Sequence, residues 1–212
     1  MENKERALKI FELLRKEYGN VGGTVLNYKT PLDLLVATIL SAQCTDELVN
    51  KVTEQLFKKY KTAEDYANAD LEGLDQDIKS IVFHGNKAKS IKNSAKMLVE
   101  QFSSQVPKTI EEMVKLPGVA RKTANIVLSN AYGVNEGIAV DTHVMRLSQR
   151  MELSQQKNRD KIERDLMNLF PKDDWFELTN LLITHGRRVC TAKKPKCGEC
   201  VVNKICPSAF KV

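Results

Sequence analysis

No stretch of this 212-residue chain approaches the roughly eighteen consecutive apolar residues that a membrane-spanning helix needs, so no such helix is expected. The N-terminus also lacks the unbroken apolar run of a secretory signal. Between Met1 and Tyr18, charged residues alternate with Ala7, Leu8, Phe11, Leu14 and Tyr18 at three- and four-residue spacing, the pattern of an amphipathic helix. No pair of alternating strands joined by a hairpin turn stands out, which argues against a β architecture. Low-complexity tracts, internal repeats and Pro/Gly/Ser linkers are missing as well, so composition alone gives no domain boundary. Cysteine is scarce, at five residues, and a chain of this length with 42% hydrophobic side chains needs no disulfide scaffold to bury a core in one large domain or two small ones. These absences point to a protein of the cytoplasmic, reducing interior of a cell.

What is present has helical period almost everywhere. Start signals stand at Thr30 before Pro31 and Asp33, at Thr62 before Asp65, and at Thr109 before Glu112. Apolar rows run through Leu32 to Leu40, Val49 to Tyr60, Ala88 to Phe102, Ile110 to Leu116, Thr123 to Ala131, Val144 to Met151, Asp160 to Phe170 and Trp175 to His185. The expected fold class is all-α. A formal charge of +6, from 33 Lys and Arg against 27 Asp and Glu, favours a polyanionic partner.

Four of the five cysteines crowd near the C-terminal end. Cys190, Cys197, Cys200 and Cys206 are spaced C-x6-C-x2-C-x5-C, so one short segment offers four thiolates to a single centre. Four soft sulfur ligands suit either a tetrahedral zinc or a four-iron cluster, and the usual pair of widely separated C-x2-C zinc knuckles is not formed. Lys193, Lys194 and Lys196 lie between the first two ligands, where they are either a solvated run or a basic loop that meets DNA phosphates.

A second motif, Leu116-Pro117-Gly118-Val119-Ala120-Arg121-Lys122-Thr123-Ala124, ends one helix with Pro and Gly, turns, and starts another. Read plainly it is a connector. Read functionally, its free backbone N–H groups at a helix N-terminus can hold a phosphate. Lys122 falls in the first turn, in a polar stripe with Asn125 and Ser129 that reads as a solvated face. The positive end of the helix also disfavours its ammonium form, which suits an amine nucleophile. Asp141, after the apolar run Gly137 to Val140, reads as a helix cap, a role compatible with that of a catalytic carboxylate.

Together the LPGVARKTA hairpin, the Val140-Asp141-Thr142-His143 segment and the cysteine spacing resemble the endonuclease III family of helix-hairpin-helix DNA glycosylases. The likeness extends through Leu40-Ser41-Ala42-Gln43 with Thr45-Asp46, Asn86-Lys87-Ala88 and His185-Gly186-Arg187, covering the chain from about Thr30 to Cys206. It implies a two-lobed all-α helix-hairpin-helix fold with a C-terminal 4Fe-4S cluster loop. One lobe of six helices would span residues 22–137, and residues 1–21 would join 138–212 in a cluster lobe. Double-stranded DNA carrying a damaged base or abasic site would be the partner of a monomer, associated with the nucleoid in a prokaryote. The implied activity is that of a bifunctional DNA glycosylase and abasic-site lyase acting on oxidised or ring-saturated pyrimidines. Lys122 would be the nucleophile, Asp141 the essential carboxylate, and Cys190, Cys197, Cys200 and Cys206 the cluster ligands.

DNA contacts would come from Gly118, Val119, Ala120 and Arg121 of the hairpin, from Lys193 and Lys194, and from wedge residues Gln43 and Phe83. Phe83 can equally be read as a core aromatic, and Gln43 as a polar loop residue. His143 is a phosphate-contact candidate but reads better as structural, as do His185 and Trp175, and Cys44 reads as a small buried hydrophobe. Two departures from the family pattern stand out. Ala120 replaces a usual glycine, which would strain a turn needing positive φ, and Val82, His84 and Gly85 alter the second wedge loop. Two rivals share the fold or cofactor. A monofunctional adenine or mismatch-thymine glycosylase normally lacks the lysine, and a non-catalytic cluster-containing DNA-binding protein would release no base.

Overall fold

The computed structural model describes residues 3–19 and 21–212; Met1 and Glu2, at the start of the expected N-terminal helix, lie outside them. Among the described residues eleven α-helices follow one another: α1 (Asn3–Tyr18), α2 (Pro31–Ser41), α3 (Asp46–Lys59), α4 (Ala63–Asn68), α5 (Leu71–Asp77), α6 (His84–Gln101), α7 (Ile110–Met113), α8 (Arg121–Tyr132), α9 (Thr142–Arg150), α10 (Arg159–Leu169) and α11 (Trp175–Arg188). No strand occurs among the described residues, and none of the helices is long and apolar enough to cross a membrane. The chain divides into two compact units, Thr24–Glu136 and Met1–Gly23 with Gly137–Val212.

Within the central unit, local chemistry starts the helices. Thr30 accepts from the Asp33 amide while Asp33 accepts from the Thr30 amide, and Thr62 with Asp65 repeats this capping box at α4. Helix α2 is buried from Asp33 to Leu40, as a helix that is apolar on nearly every face must be. It packs against α3, α6 and α8, and α4 and α5 lie on α6. Leu34, Leu40, Tyr66, Leu74, Ile91, Leu98, Met113 and Val127 belong to this core.

In the second unit α1 and α9 pack against α11, and α10 against α1 and α9. The apolar row of α1 buries Ala7, Ile10, Phe11 and Leu14 in a core with Leu147, Leu166, Leu178 and Val202. Trp175 is buried there, its indole N–H donating to the Phe170 carbonyl at 3.0 Å.

Candidate functional site

The hairpin is seated on α6. Gly118 has φ 80°, a left-handed value, and a Cβ there would stand 2.6 Å from the Cβ of Ser90. One turn further along α6, Ser94 Oγ donates to the Pro117 carbonyl at 2.7 Å. Only a glycine lets the turn come this close. Ala120 caps α8 at φ −83° and ψ 165°, an extended conformation open to any residue, so the alanine carries none of the strain that a positive φ would bring.

No side chain caps the first turn of α8, and that turn holds no acidic residue. Its outward amides are left for solvent or an anion. Lys122 is exposed in that turn, while the Val119 side chain is buried and offers only its backbone. The polar stripe read from the sequence does not survive as a solvated face. Asn125 is buried at 3% exposure, because the helix turns that position into the core beside Ala124 and Leu128.

Two exposed loops of the same unit carry non-glycine residues at positive φ: Gln43 at 58° and Phe83 at 60°. Phe83 is 59% exposed, which removes the core-aromatic reading, and Val82 beside it is exposed too. His84 begins α6 with its Nδ1 2.6 Å from Asp75 Oδ1. Cys44 is partly buried against the core, as a small hydrophobe would be.

In the other unit Asp141 is the cap of α9, its Oδ1 accepting the Val144 N–H at 2.8 Å. Burial holds the His143 imidazole below its ordinary range; Asp141 opposes this, and Arg146 and Arg187 add to it. Gly186 lets α11 approach α9 closely, since a Cβ there would lie 2.9 Å from His143 Nδ1.

Cys190, Cys197, Cys200 and Cys206 line one partly open pocket. Burial pushes the Cys200 and Cys206 thiols up, and the other cysteines of the set push the same way. Arg150 Nη1 reaches Cys190 Sγ at 3.3 Å and the Thr191 carbonyl at 2.7 Å, and Arg146 Nη2 donates to the Cys190 and Gly186 carbonyls, both at 2.9 Å. His185, fully buried, has Nε2 3.4 Å from Cys200 Sγ and Nδ1 2.7 Å from the Tyr18 hydroxyl. Lys193 and Lys194 are exposed on the loop, and Lys196 lies 3.8 Å from Glu199.

The sequence profile of the HhH-GPD superfamily of base excision DNA repair proteins matches residues 36–172, and that of the iron-sulfur binding domain of endonuclease III matches residues 190–206. Endonuclease III of Synechocystis sp. is 51% identical over 207 residues, covering 97% of this chain and 94% of that protein. Endonuclease III of Bacillus subtilis is 50% identical over 187 residues, 88% of this chain and 85% of that protein. The chain belongs to the endonuclease III family. A solved structure of a trapped endonuclease III–DNA covalent intermediate superposes with a TM-score of 0.93 at 40% identity, covering 99% of this chain and 98% of that one.

The endonuclease III cofactor fits the residues present. A single zinc, with Zn–S bonds of about 2.3 Å, would draw four sulfurs to within about 4 Å of one another. Among the described residues no three His, Cys, Asp or Glu side chains gather that tightly, whereas all four cysteines line one pocket, the donor set that a four-iron cluster takes. With Cys200 as a thiolate, His185 Nε2 carries the proton toward sulfur and Nδ1 accepts from Tyr18, whose hydroxyl burial pushes up to about 12. His185 is the structural histidine that the sequence suggested, whereas the parts played by Arg146 and Arg150 around this loop were missed. The i, i+4 spacing of Arg146 and Arg150 on α9 was the available signal.

Proposed function

We propose that Lys122 is the nucleophile, and Asp141 its assisting carboxylate, in a bifunctional DNA glycosylase and abasic-site lyase. The observation that carries this reading is an exposed lysine in the first turn of α8, where uncapped amides follow the tight Gly118 turn. The solved relative is a covalent endonuclease III–DNA intermediate, and Lys122 is the amine that would make such a bond here.

The chain is a base-excision repair glycosylase acting on duplex DNA, and its substrates on this reading are oxidised or ring-saturated pyrimidines. The unprotonated Lys122 amine attacks C1′ of the flipped nucleotide. The C1′–N bond breaks, and the base leaves with the bonding pair and takes up a proton. Ring opening gives a Schiff base between Nζ and C1′. The iminium withdraws electrons from C2′, so loss of a C2′ proton expels the 3′ phosphate by β-elimination, and water then frees Lys122. Asp141 helps deprotonate the amine and offsets the positive charge of the iminium.

Gly118 to Arg121 would hold a backbone phosphate on their amides, with Lys193 and Lys194 as further phosphate contacts. Gln43 and Phe83 would fill the space left by the flipped nucleotide. When bound, the cluster supplies covalent cross-links that order this loop, held by Cys190, Cys197, Cys200 and Cys206. In a prokaryotic cell the enzyme would work at the nucleoid.

The test is borohydride trapping on a duplex with one thymine glycol or abasic site, using the wild type, Lys122→Ala and Asp141→Asn. A covalent adduct that vanishes in Lys122→Ala supports the assignment. Base release with no adduct in the wild type would favour a monofunctional enzyme, and an adduct that persists in Lys122→Ala would move the nucleophile elsewhere.

A further inference from the structure

Residues other than glycine hold a left-handed conformation only where their surroundings force it. For Gln43 and Phe83, forty positions apart, those surroundings share one residue, Lys87. It is only 7% exposed, a rare state for lysine. Its Nζ donates to the Leu40 carbonyl at 2.9 Å and to the Ala42 carbonyl at 2.5 Å, and lies 3.6 Å from Cys44 Sγ. An ammonium has three donors, so all three are taken up by the segment that bends around Gln43.

The acceptors suit a cation. Leu40 and Ala42 lie at the C-terminal end of α2, where carbonyls lack helical partners and the helix dipole is negative. Lys87 itself lies in the first turn of α6, where its amide makes the ordinary helical bond to the carbonyl of the N-cap, Phe83, at 3.1 Å. The side chain therefore ties the Gln43 loop to the first turn of the helix that the Phe83 loop begins.

We propose that Lys87 is a positioning residue that holds the Gln43 and Phe83 loops at a set spacing, so that the two side chains enter the duplex as one preformed wedge. The inference rests on the reading of Gln43 and Phe83 as wedge residues. Loops ordered before DNA arrives need not be ordered at the expense of binding.

The test uses the cluster-loaded full chain and compares Lys87→Met, close in length and without donors, with Gln43→Ala and the double variant. One readout is single-turnover cleavage of a duplex containing thymine glycol. The other is the fluorescence of 2-aminopurine placed opposite a non-cleavable abasic analogue, which reports how the gap is filled. Lys87→Met is expected to slow cleavage by about tenfold or more, as misplacement of a contact group does, and to reproduce the fluorescence of Gln43→Ala. On the Gln43→Ala background it is expected to add less than about twofold, because the lysine acts through the glutamine.

Multiplied losses in the double variant, or wild-type fluorescence in Lys87→Met, would overturn the proposal. If Gln43→Ala alone leaves cleavage and fluorescence unchanged, the wedge reading itself falls, an outcome told apart by that single variant. Folding is followed by thermal unfolding and by the visible absorbance of the cluster. Should Lys87→Met not fold, Lys87→Gln is put through the same comparison; failure of both to fold would make Lys87 a core residue and sink the positioning role.

Discussion

Two positions apart in the hairpin, Gly118 and Ala120 face different steric demands. Gly118 has a left-handed φ, and the atom that a new Cβ would strike is Ser90 Cβ, anchored to helix backbone and unable to swing aside. Gly118→Ala is expected to cost about 1–3 kcal/mol in thermal unfolding and to weaken binding to abasic-analogue DNA, since the turn must open. Ala120→Gly is expected to change stability by no more than about 1 kcal/mol and to leave DNA affinity as it was, because an extended residue gains nothing from glycine. Tighter binding by Ala120→Gly would mean that the family's usual glycine serves close phosphate approach. His143 carries a different prediction. Its folded-state pKa is depressed, chiefly by burial, so between that value and about 6.5 the unfolded chain binds a proton that the folded chain does not. The contribution of neutral His143 is therefore fully present above about 6.5 and is lost as pH falls through the folded value. His185, which burial lowers to about 4, acts in the same direction, so the informative quantity is the difference between wild type and His143→Gln. That difference should shrink as pH falls from 7 to 5 in urea titrations, and a constant difference would refute the assignment.

Helix α6 supports three of the proposed DNA-contacting segments: the Phe83 loop as its N-cap, the Gln43 loop through Lys87, and the hairpin through Ser90 and Ser94. Little of this was legible beforehand. The hairpin, the Thr30 and Thr62 boxes and the cysteine spacing are local patterns, set by residues within a few positions of each other, and they read directly. Lys87 entered only as part of the Asn86-Lys87-Ala88 likeness, with no role, because its acceptors lie more than forty residues away, at the end of another helix. The one local hint was the row of residues 87, 91, 94 and 98, which shares a face with Ile91 and Leu98. Of α4 only the Thr62 start signal was legible, and α5 was missed, since six or seven residues hold too few turns to show a period. On α9, one turn brings Arg146 and Arg150 to the cluster loop, and Arg150 points an N–H at Cys190 Sγ. A donor to a cluster sulfur favours the more negative, reduced state. Arg150→Met is expected to shift the cluster potential downward by roughly 60 mV, the equivalent of one charge-assisted hydrogen bond, measured by voltammetry on the purified protein. An unchanged potential would show that the arginine serves the loop's carbonyls alone.

At the scale of the whole molecule, the chain's two cores are separate. One is built from residues between Leu26 and Leu128, and the other joins Ala7 to Leu14 with residues from Ile138 to Val202. Composition could not reveal this, because the second core is assembled from both ends of the chain and no linker marks either crossing. The N-terminal helix's own pattern gave only an apolar face, and its grouping with residues 138–212 came from the family resemblance; that the face meets α11 is a fact of packing 160 or so residues away in sequence. The cysteine loop contributes to the second core only: Val202 is fully buried in it, and Cys190, Cys200 and Cys206 pack against it. Without the cluster the four thiols are no longer cross-linked, and the ties from outside the loop include the hydrogen bonds of Arg146, Arg150 and His185. Such a loop is anchored in the second core mainly through Val202 and the residues around it, while its stretch over residues 191–196 is largely outside that core, so it should open locally below the global unfolding free energy. Oxidative removal of the cluster is therefore expected to raise amide hydrogen exchange across residues 189–206 and at the ends of α9 and α11 that face the loop. Protection across residues 31–132 should stay at the level of the loaded protein. If exchange rose equally in α2 and α6, the two cores would unfold as one cooperative body and the cluster would hold the whole chain rather than its own unit.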